Sequence, residues 1–150
     1  MSEDLPPQDV ADRLAIDGLL SRYAWAIDDK DWDALATVFT EDAHIDYTSA
    51  GGIAGDRDTV VAWLAETLAG FPMTQHMVTT RDISLDGDRA TARSMVYNPM
   101  GLPDGDGGLR IFYTGGVYRD RLRRTDDGWR IEERVEEALW FDGDLPQGVG

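Results

Sequence analysis

The sequence predicts an α+β fold in which about three N-terminal helices pack on a strongly curved, mostly antiparallel sheet that encloses a pocket. The first half of the chain carries apolar residues at helical spacing, whereas the second half alternates with the period of a strand. Short turn signals separate the strand-like segments, which is typical of antiparallel neighbours. Tandem Gly115 and Gly116 inside one segment favour a bulge that would bend the sheet into a cone.

Three helices are predicted within the first 72 residues. An apolar stripe predicts the first helix, with Asp9 as a plausible N-cap and an end near Asp29. The segment DWDALATVF fits a short second helix. Asp56 can cap a third helix, whose stripe includes Val61, and Gly70 marks its end.

The strands are predicted from period-two alternation. In AHIDY, this alternation places Ile45 and Tyr47 on one face and His44 and Asp46 on the other. The turn signals DGD, PDGDGG and TDDG then separate four β-rich segments: QHMVTTRDISL, ATARSMVYNPM, LRIFYTGGVYRDRL and GWRIEERVEEALWF.

The ends of the chain differ from its body. Residues 1–8 and 142–150 lack periodicity and are rich in Pro, Gly and Asp, so we expect a disordered N-terminal segment and a flexible C-terminal tail. Residues 9–141 contain no repeat and no linker, which predicts a single domain.

Composition excludes several classes of partner and site. Fourteen basic against 29 acidic residues give a net charge of −15, so nucleic acid and membrane surfaces are poor partners. The absence of cysteine excludes disulfide scaffolds and thiolate zinc sites. The chain shows no secretory signal and no stretch that would span a membrane, so we expect a cytoplasmic protein.

Candidate bases are few, because the chain has 2 histidines. Strand alternation turns His44 away from Ile45, towards an outer face, whereas His76 alternates with Val78 and is predicted to point inward. An inward histidine is, by itself, more often a core residue than a base. Asp28 is unusual, since a carboxylate at a helix C-terminus opposes the macrodipole. No three-ligand metal spacing and no phosphate-binding glycine loop is present, so we expect chemistry without metal or cofactor.

Three motifs carry a resemblance to a known family: LAIDGLLSRYAWAIDDKDWDALATVFTEDAHIDY, TQHMVTTRDISLDGDRATARS and GGVYRDRLRRTDDGWRIEER. Together they resemble the SnoaL-like family of the nuclear-transport-factor-2-like superfamily, over about residues 10–141. The family is similar to scytalone dehydratase, bile-acid dehydratase and hexachlorocyclohexane dehydrochlorinase. The resemblance implies a cone-shaped fold and a dyad in which Asp28 orients His76 as a base. The second pocket histidine of scytalone dehydratase has no counterpart here.

The resemblance also implies pocket residues. Tyr23 and Tyr47 match tyrosines that hydrogen-bond a substrate, although core packing is their alternative role. Arg134 matches a pocket arginine, yet strict alternation from Trp129 and Ile131 places it on the opposite face, unless a bulge intervenes. Otherwise it is a surface arginine paired with nearby glutamates. Apolar side chains expected to contact substrate are Ile45, Trp63, Met95, Tyr97 and Phe112.

The resulting hypothesis is a cofactor-independent lyase or isomerase that acts on a small apolar cyclic, polyketide-like or steroid-like molecule. His76 would be the base, Asp28 its partner, and Tyr23 with Tyr47 the polarising donors. A binding or dimerisation module of the same fold and a polyketide cyclase are the alternatives. Apolar residues on the later strands also favour a homodimer formed through the sheet; they are Val117, Leu139, Trp140 and Phe141.

Overall fold

The structure is a computed structural model that describes residues 4–144. Helices and strands follow each other in the order α1 (Pro7–Asp28), α2 (Trp32–Val38), β1 (Phe39–Asp46), a 3₁₀ turn (Thr48–Ala50), β2 (Ala54–Asp56), α3 (Arg57–Leu68), β3 (Met73–Thr74), β4 (Met77–Asp86), β5 (Arg89–Pro103), β6 (Leu109–Thr125) and β7 (Gly128–Asp142). This order confirms the prediction of helices first and an antiparallel sheet afterwards.

The strands form one mixed sheet in the order β2-β1-β7-β6-β5, and both β3 and β4 pair with β5. All neighbours are antiparallel except β1 and β7, which run parallel. The sheet curls strongly around the three helices, so the predicted α+β architecture is confirmed. The single parallel pair has no local turn signal, because its strands are far apart in the chain.

Helix α1 begins earlier than predicted. It starts at Pro7, with Pro6 as its N-cap, so residues 7 and 8 are helical rather than disordered and Asp9 lies in the first turn. Proline suits this position, since the first helical residues have no intrahelical acceptor for an N–H. The predicted C-terminal tail also starts too early, because β7 includes residue 142. Residues 1–3 and 145–150 of the predicted terminal segments lie outside the described residues.

The buried face of α1 is the predicted stripe. Its larger side chains are at most 2% exposed and pack against the sheet: Ile16, Leu19, Leu20, Tyr23 and Ile27. In α3 the buried residue of the first turn is Val60 rather than the predicted Val61, which is only partly buried. No helix within residues 4–144 combines the length and apolarity needed to cross a membrane.

Asp12 connects α1 to the hairpin between β6 and β7. Its carboxylate accepts two hydrogen bonds from Arg124, at 2.9 and 2.8 Å, and one from the Trp129 indole at 3.1 Å. The Arg124 hydrogen bonds hold the pKa of Asp12 well below its usual range, against the opposing effect of burial. This contact sets how α1 crosses the sheet, and therefore where its C-terminal residue Asp28 lies.

Two bulges in β7 shape the concave face. One falls where Gly115 pairs with Trp140 and Gly116 with Ala138, which leaves Leu139 unpaired and confirms the bend predicted at the glycines. A Cβ on Gly115 would lie 2.0 Å from the Trp140 indole nitrogen, so only glycine fits there. The second bulge leaves Glu132 without a partner on β6.

Candidate active site

The helices and the concave face of the sheet enclose a cavity of about 250 Å³. Its wall is largely apolar, and its larger aliphatic, tryptophan and phenylalanine side chains are Ile27, Trp63, Leu64, Leu68, Phe71, Met100, Phe112 and Phe141. Trp63 and Phe112 thus lie where the sequence places them. The prediction that Phe141 belongs to a dimerisation face is wrong, because its ring packs against Phe112 at the cavity. An apolar wall with a few polar groups is typical of a site for a small molecule.

His76 lies in this cavity wall, and Asp28 contacts it from outside the lining. Asp28 is the last residue of α1, and His76 lies in the break between β3 and β4. Carboxylate Oδ1 is 2.7 Å from His76 Nδ1, and the two side chains are 20% and 6% exposed, respectively. The other oxygen, Oδ2, accepts the backbone N–H of His76 at 2.8 Å. One carboxylate therefore orients both the ring and the backbone of the histidine.

Further hydrogen bonds keep Asp28 ionised. The Thr74 hydroxyl donates to Oδ1 at 2.8 Å. Burial would raise the pKa of Asp28, but the hydrogen bonds and charge of His76, with the Thr74 hydrogen bond, bring it below the usual value. An ionised Asp28 accepts the Nδ1–H of His76, so the neutral ring has its lone pair on Nε2.

Asn98 contacts that second ring nitrogen. Its amide nitrogen lies 3.1 Å from His76 Nε2, and the residue is 7% exposed. Because Nε2 is an acceptor in this tautomer, the amide must turn its NH₂ group to the ring. The lone pair that a base would use is thus covered by an Asn98 N–H, and Asn98 Oδ1 has no partner among the described residues.

Three tyrosines form a second polar cluster on the cavity wall. The Tyr23 hydroxyl lies 2.8 Å from that of Tyr47 and 3.3 Å from that of Tyr118. Burial raises the pKa of all three phenols, so they are neutral hydrogen-bond donors near neutral pH. The chain of phenols offers one O–H beyond those used between them.

Arg134 packs against the rings of this tyrosine cluster, on the side away from the cavity. Its side chain is 0% exposed and makes two hydrogen bonds to Asp120, at 2.8 and 2.9 Å. The guanidinium carbon lies 4.1 Å from the Tyr23 ring centroid and 4.0 Å from that of Tyr118. Arg134 is therefore neither a surface residue paired with glutamates nor one that lines the cavity. The bulge at Glu132 turns it inward, which strict alternation does not do.

Three of the apolar residues predicted to contact substrate do not line the cavity, so these predictions are wrong. Met95 and Tyr97 are 56% and 38% exposed and lie on the convex face of the sheet, because the inward residues of β5 have even numbers. Ile45 is 1% exposed and packs in the core rather than lining the cavity. His44 is exposed, as expected from its strand face.

The structure adds polar residues that the sequence did not single out. Asn98 and Thr114 lie opposite each other on β5 and β6, and Glu136 faces the cavity near Tyr118. The inward position of Asn98 could have been predicted from the sequence. Asn98 is an even number of residues from the apolar residues Ala90, Ala92 and Val96, so strand alternation puts all four on one face. No grouping of three His, Cys, Asp or Glu side chains suited to a metal ion occurs in residues 4–144.

Comparison with known proteins assigns the family. A SnoaL-like domain matches residues 8–135. The chain belongs to the SnoaL-like family. A relative, the uncharacterized protein Rv2910c of Mycobacterium tuberculosis, is 42% identical over 128 residues, which cover 85% of this chain and 86% of the relative.

Solved structures share the architecture of this SnoaL-like domain. Kfla4162 from Kribbella flavida superposes with a TM-score of 0.80 at 29% identity, covering 89% of this chain and 95% of its own. A hexachlorocyclohexane dehydrochlorinase superposes with a TM-score of 0.77 at 20% identity, covering 93% and 97%. The second likeness establishes the shared fold alone.

Proposed function

We propose that this SnoaL-like protein is a cofactor-independent lyase or isomerase of the dehydratase type. Its substrate is a small, largely apolar cyclic, polyketide-like or steroid-like molecule from which His76 removes a proton bound to carbon. The observation that carries the proposal is the 2.7 Å contact of Asp28 with His76, which lies in the wall of an apolar cavity. A titratable pair in such a setting is a candidate for acid–base chemistry.

The pair acts as one base. Asp28 holds the Nδ1–H, so Nε2 presents its lone pair, and the carboxylate stabilises the imidazolium that forms. General-base assistance of this kind is typically worth about 10²- to 10⁴-fold in rate. Since an Asn98 N–H covers Nε2 at 3.1 Å, the substrate C–H takes its place and the amide turns aside.

The phenols serve the substrate oxygen. Loss of a proton next to a carbonyl places negative charge on its oxygen, and neutral donors fixed in a dry site stabilise that charge. Tyr23 and Tyr47, whose hydroxyls are 2.8 Å apart, supply one such donor, the O–H that the phenols leave free, and Arg134 lies against the Tyr23 ring. The hexachlorocyclohexane dehydrochlorinase of the same fold is named for an elimination from an apolar ring, which supports the same reaction class.

Hydrogen–deuterium exchange tests proton abstraction without knowledge of the natural substrate. Cyclic ketones such as 2-decalone are incubated with the protein in D₂O, and loss of the protons next to the carbonyl is followed by ¹H NMR. We expect exchange above the buffer rate with the wild type and a return to the buffer rate with His76→Ala.

The matched control for this experiment is His44→Ala, because His44 is exposed on the first strand and remote in sequence from the dyad. Circular dichroism establishes that both variants are folded. If His76→Ala exchanges as fast as the wild type, or the wild type no faster than buffer with any ketone, the proposal is overturned and the cavity is a binding site only.

We also propose that the convex face of the sheet binds a second copy of the chain. An outer aromatic patch consists of Tyr97, Tyr113 and Trp140, with ring centroids 6.3 and 6.0 Å from that of Tyr97. Exposed ion pairs surround it: Arg93–Asp82, Arg119–Glu137 and Arg121–Glu133. In a chain of net charge −15, such a charge-balanced face repels a second copy less than an acidic surface does.

Sedimentation equilibrium measures the association. We expect a dimer for the wild type and a monomer for Tyr97→Glu, because burying an added carboxylate in the interface is costly. Trp25→Glu is the control, since Trp25 is an aromatic of α1 that is 70% exposed away from the sheet, and it should remain dimeric. A monomeric wild type would contradict the proposal.

A further inference from the structure

Glu136 differs from the other glutamates of β7. Three of these form ion pairs with arginines: Glu132 with Arg89, Glu133 with Arg121 and Glu137 with Arg119. Glu136 makes no ion pair within residues 4–144. It faces the cavity, where it is the only carboxylate in the described wall.

The inward direction of Glu136 follows from the bulge at Glu132. Beyond the bulge, the inward positions of β7 are Arg134 and Glu136. Glu136 pairs with Tyr118 of β6, which is one of the three clustered phenols. Arg134 does not neutralise it by a direct contact, because its two hydrogen bonds go to Asp120.

A half-buried carboxyl group without a paired cation destabilises the fold, because removing it from water is costly, so its presence favours a functional role. Burial raises the pKa of Glu136, an effect that Arg134 and Tyr118 only partly oppose. Glutamine or leucine would fill the same space without this cost. A carboxylate in an apolar cavity is an acceptor, and its natural complement is a hydrogen-bond donor on the bound molecule.

Glu136 lies at a different position along the sheet from the residue that contacts His76. Asn98, which contacts His76, lies opposite Thr114, whereas Glu136 lies opposite Tyr118. The two positions are four residues apart on β6, roughly 13 Å along the strand. The dyad and Glu136 therefore meet different parts of a bound molecule.

We propose that Glu136 is a substrate-recognition residue whose carboxylate accepts a hydrogen bond from a hydroxyl group of the molecule that His76 deprotonates. The substrate class is an apolar ring compound that carries a hydroxyl group in addition to the acidic C–H. This inference takes the cavity as the substrate site and so rests on the proposed function.

Binding of three matched ligands tests the inference without proton abstraction. Decahydro-2-naphthol offers a hydroxyl donor, whereas 2-decalone and the methyl ether of the alcohol offer acceptors only. Calorimetric titration of the wild type should give a dissociation constant for the alcohol about tenfold lower than for either analogue, as one hydrogen bond to a charged group provides. Glu136→Leu should abolish this preference while still binding the ketone.

Glu137→Leu is the matched control, because Glu137 is the next residue but lies on the convex face, paired with Arg119. It should keep the preference for the alcohol. Equal affinities of the wild type for the three ligands would overturn the inference, and this comparison needs no variant to fold. A preference that survives in Glu136→Leu would also overturn it. Either result leaves the exchange assay of the dyad unaffected, so the two proposals can fail separately.

Discussion

Asp28→Asn is expected to lower the rate of proton abstraction by about 10²- to 10⁴-fold, as much as His76→Ala does. The amide can satisfy the backbone N–H of His76 with its oxygen, but then its NH₂ group faces Nδ1. Nδ1 must become the acceptor, and the ring proton moves to Nε2. The folded variant thus keeps a histidine in place but loses the lone pair that removes the proton.

The tautomer itself is measurable. The ¹⁵N shifts of the two imidazoles should show a protonated Nδ1 for His76 in the wild type and a protonated Nε2 in Asp28→Asn, with exposed His44 as the internal reference. The double variant Asp28→Asn/His76→Ala should be no slower than His76→Ala alone, since the residues act as a unit. If the rate loss of the double variant equalled the product of the two single losses, the residues would act independently, which would contradict a shared role for the pair.

Asp120→Ala is expected to destabilise the protein by about 3–5 kcal/mol, which is a large part of the ~5–15 kcal/mol that holds a typical domain folded. Asp120 and Arg134 both have side chains that are 0% exposed. Removal of the carboxylate leaves a guanidinium buried between two tyrosine rings without a counterion, and Arg134 Nη1 already lacks a partner among the described residues. Urea unfolding measures the loss.

A second substitution separates the lost charge pair from lost packing. Asp120→Leu combined with Arg134→Met removes both charges with little change in volume, and buried ion pairs replaced in this way often leave stability unchanged or higher. We therefore expect the double variant to recover most of the free energy of unfolding. Glu137→Ala is the surface comparison, because its pair with Arg119 is exposed and worth less than about 1 kcal/mol. A loss in Asp120→Ala as small as this would disprove the role assigned to the buried pair.

The fold and the dyad could be predicted from the sequence for different reasons. Helical spacing and turn signals predict the elements directly, because they are local properties of the chain. The Asp28–His76 contact joins residues 48 positions apart, so no local pattern contains it. That contact was predicted by the resemblance to the SnoaL-like family, and the geometry agrees with it.

The errors in the cavity wall have a common physical origin. Met95 and Tyr97 are large and apolar, yet they lie on the convex face, whereas the inward residues Ser94 and Asn98 are polar. A sheet with apolar side chains on both faces does not reveal which one is concave. The small residues Ala90 and Ala92 were the better indication, since helices approach closely only where side chains are short.

The bulge at Glu132 makes the chemistry of the cavity depend on strand register as well as residue type. Beyond that point, the two faces of the last strand trade places relative to an unbroken ladder. If the same residues paired without the bulge, Glu133 and Val135 would point at the ligand, and the guanidinium and the unpaired carboxylate would turn towards water. Gain or loss of a bulge in this strand is therefore a route by which such proteins change what they accept.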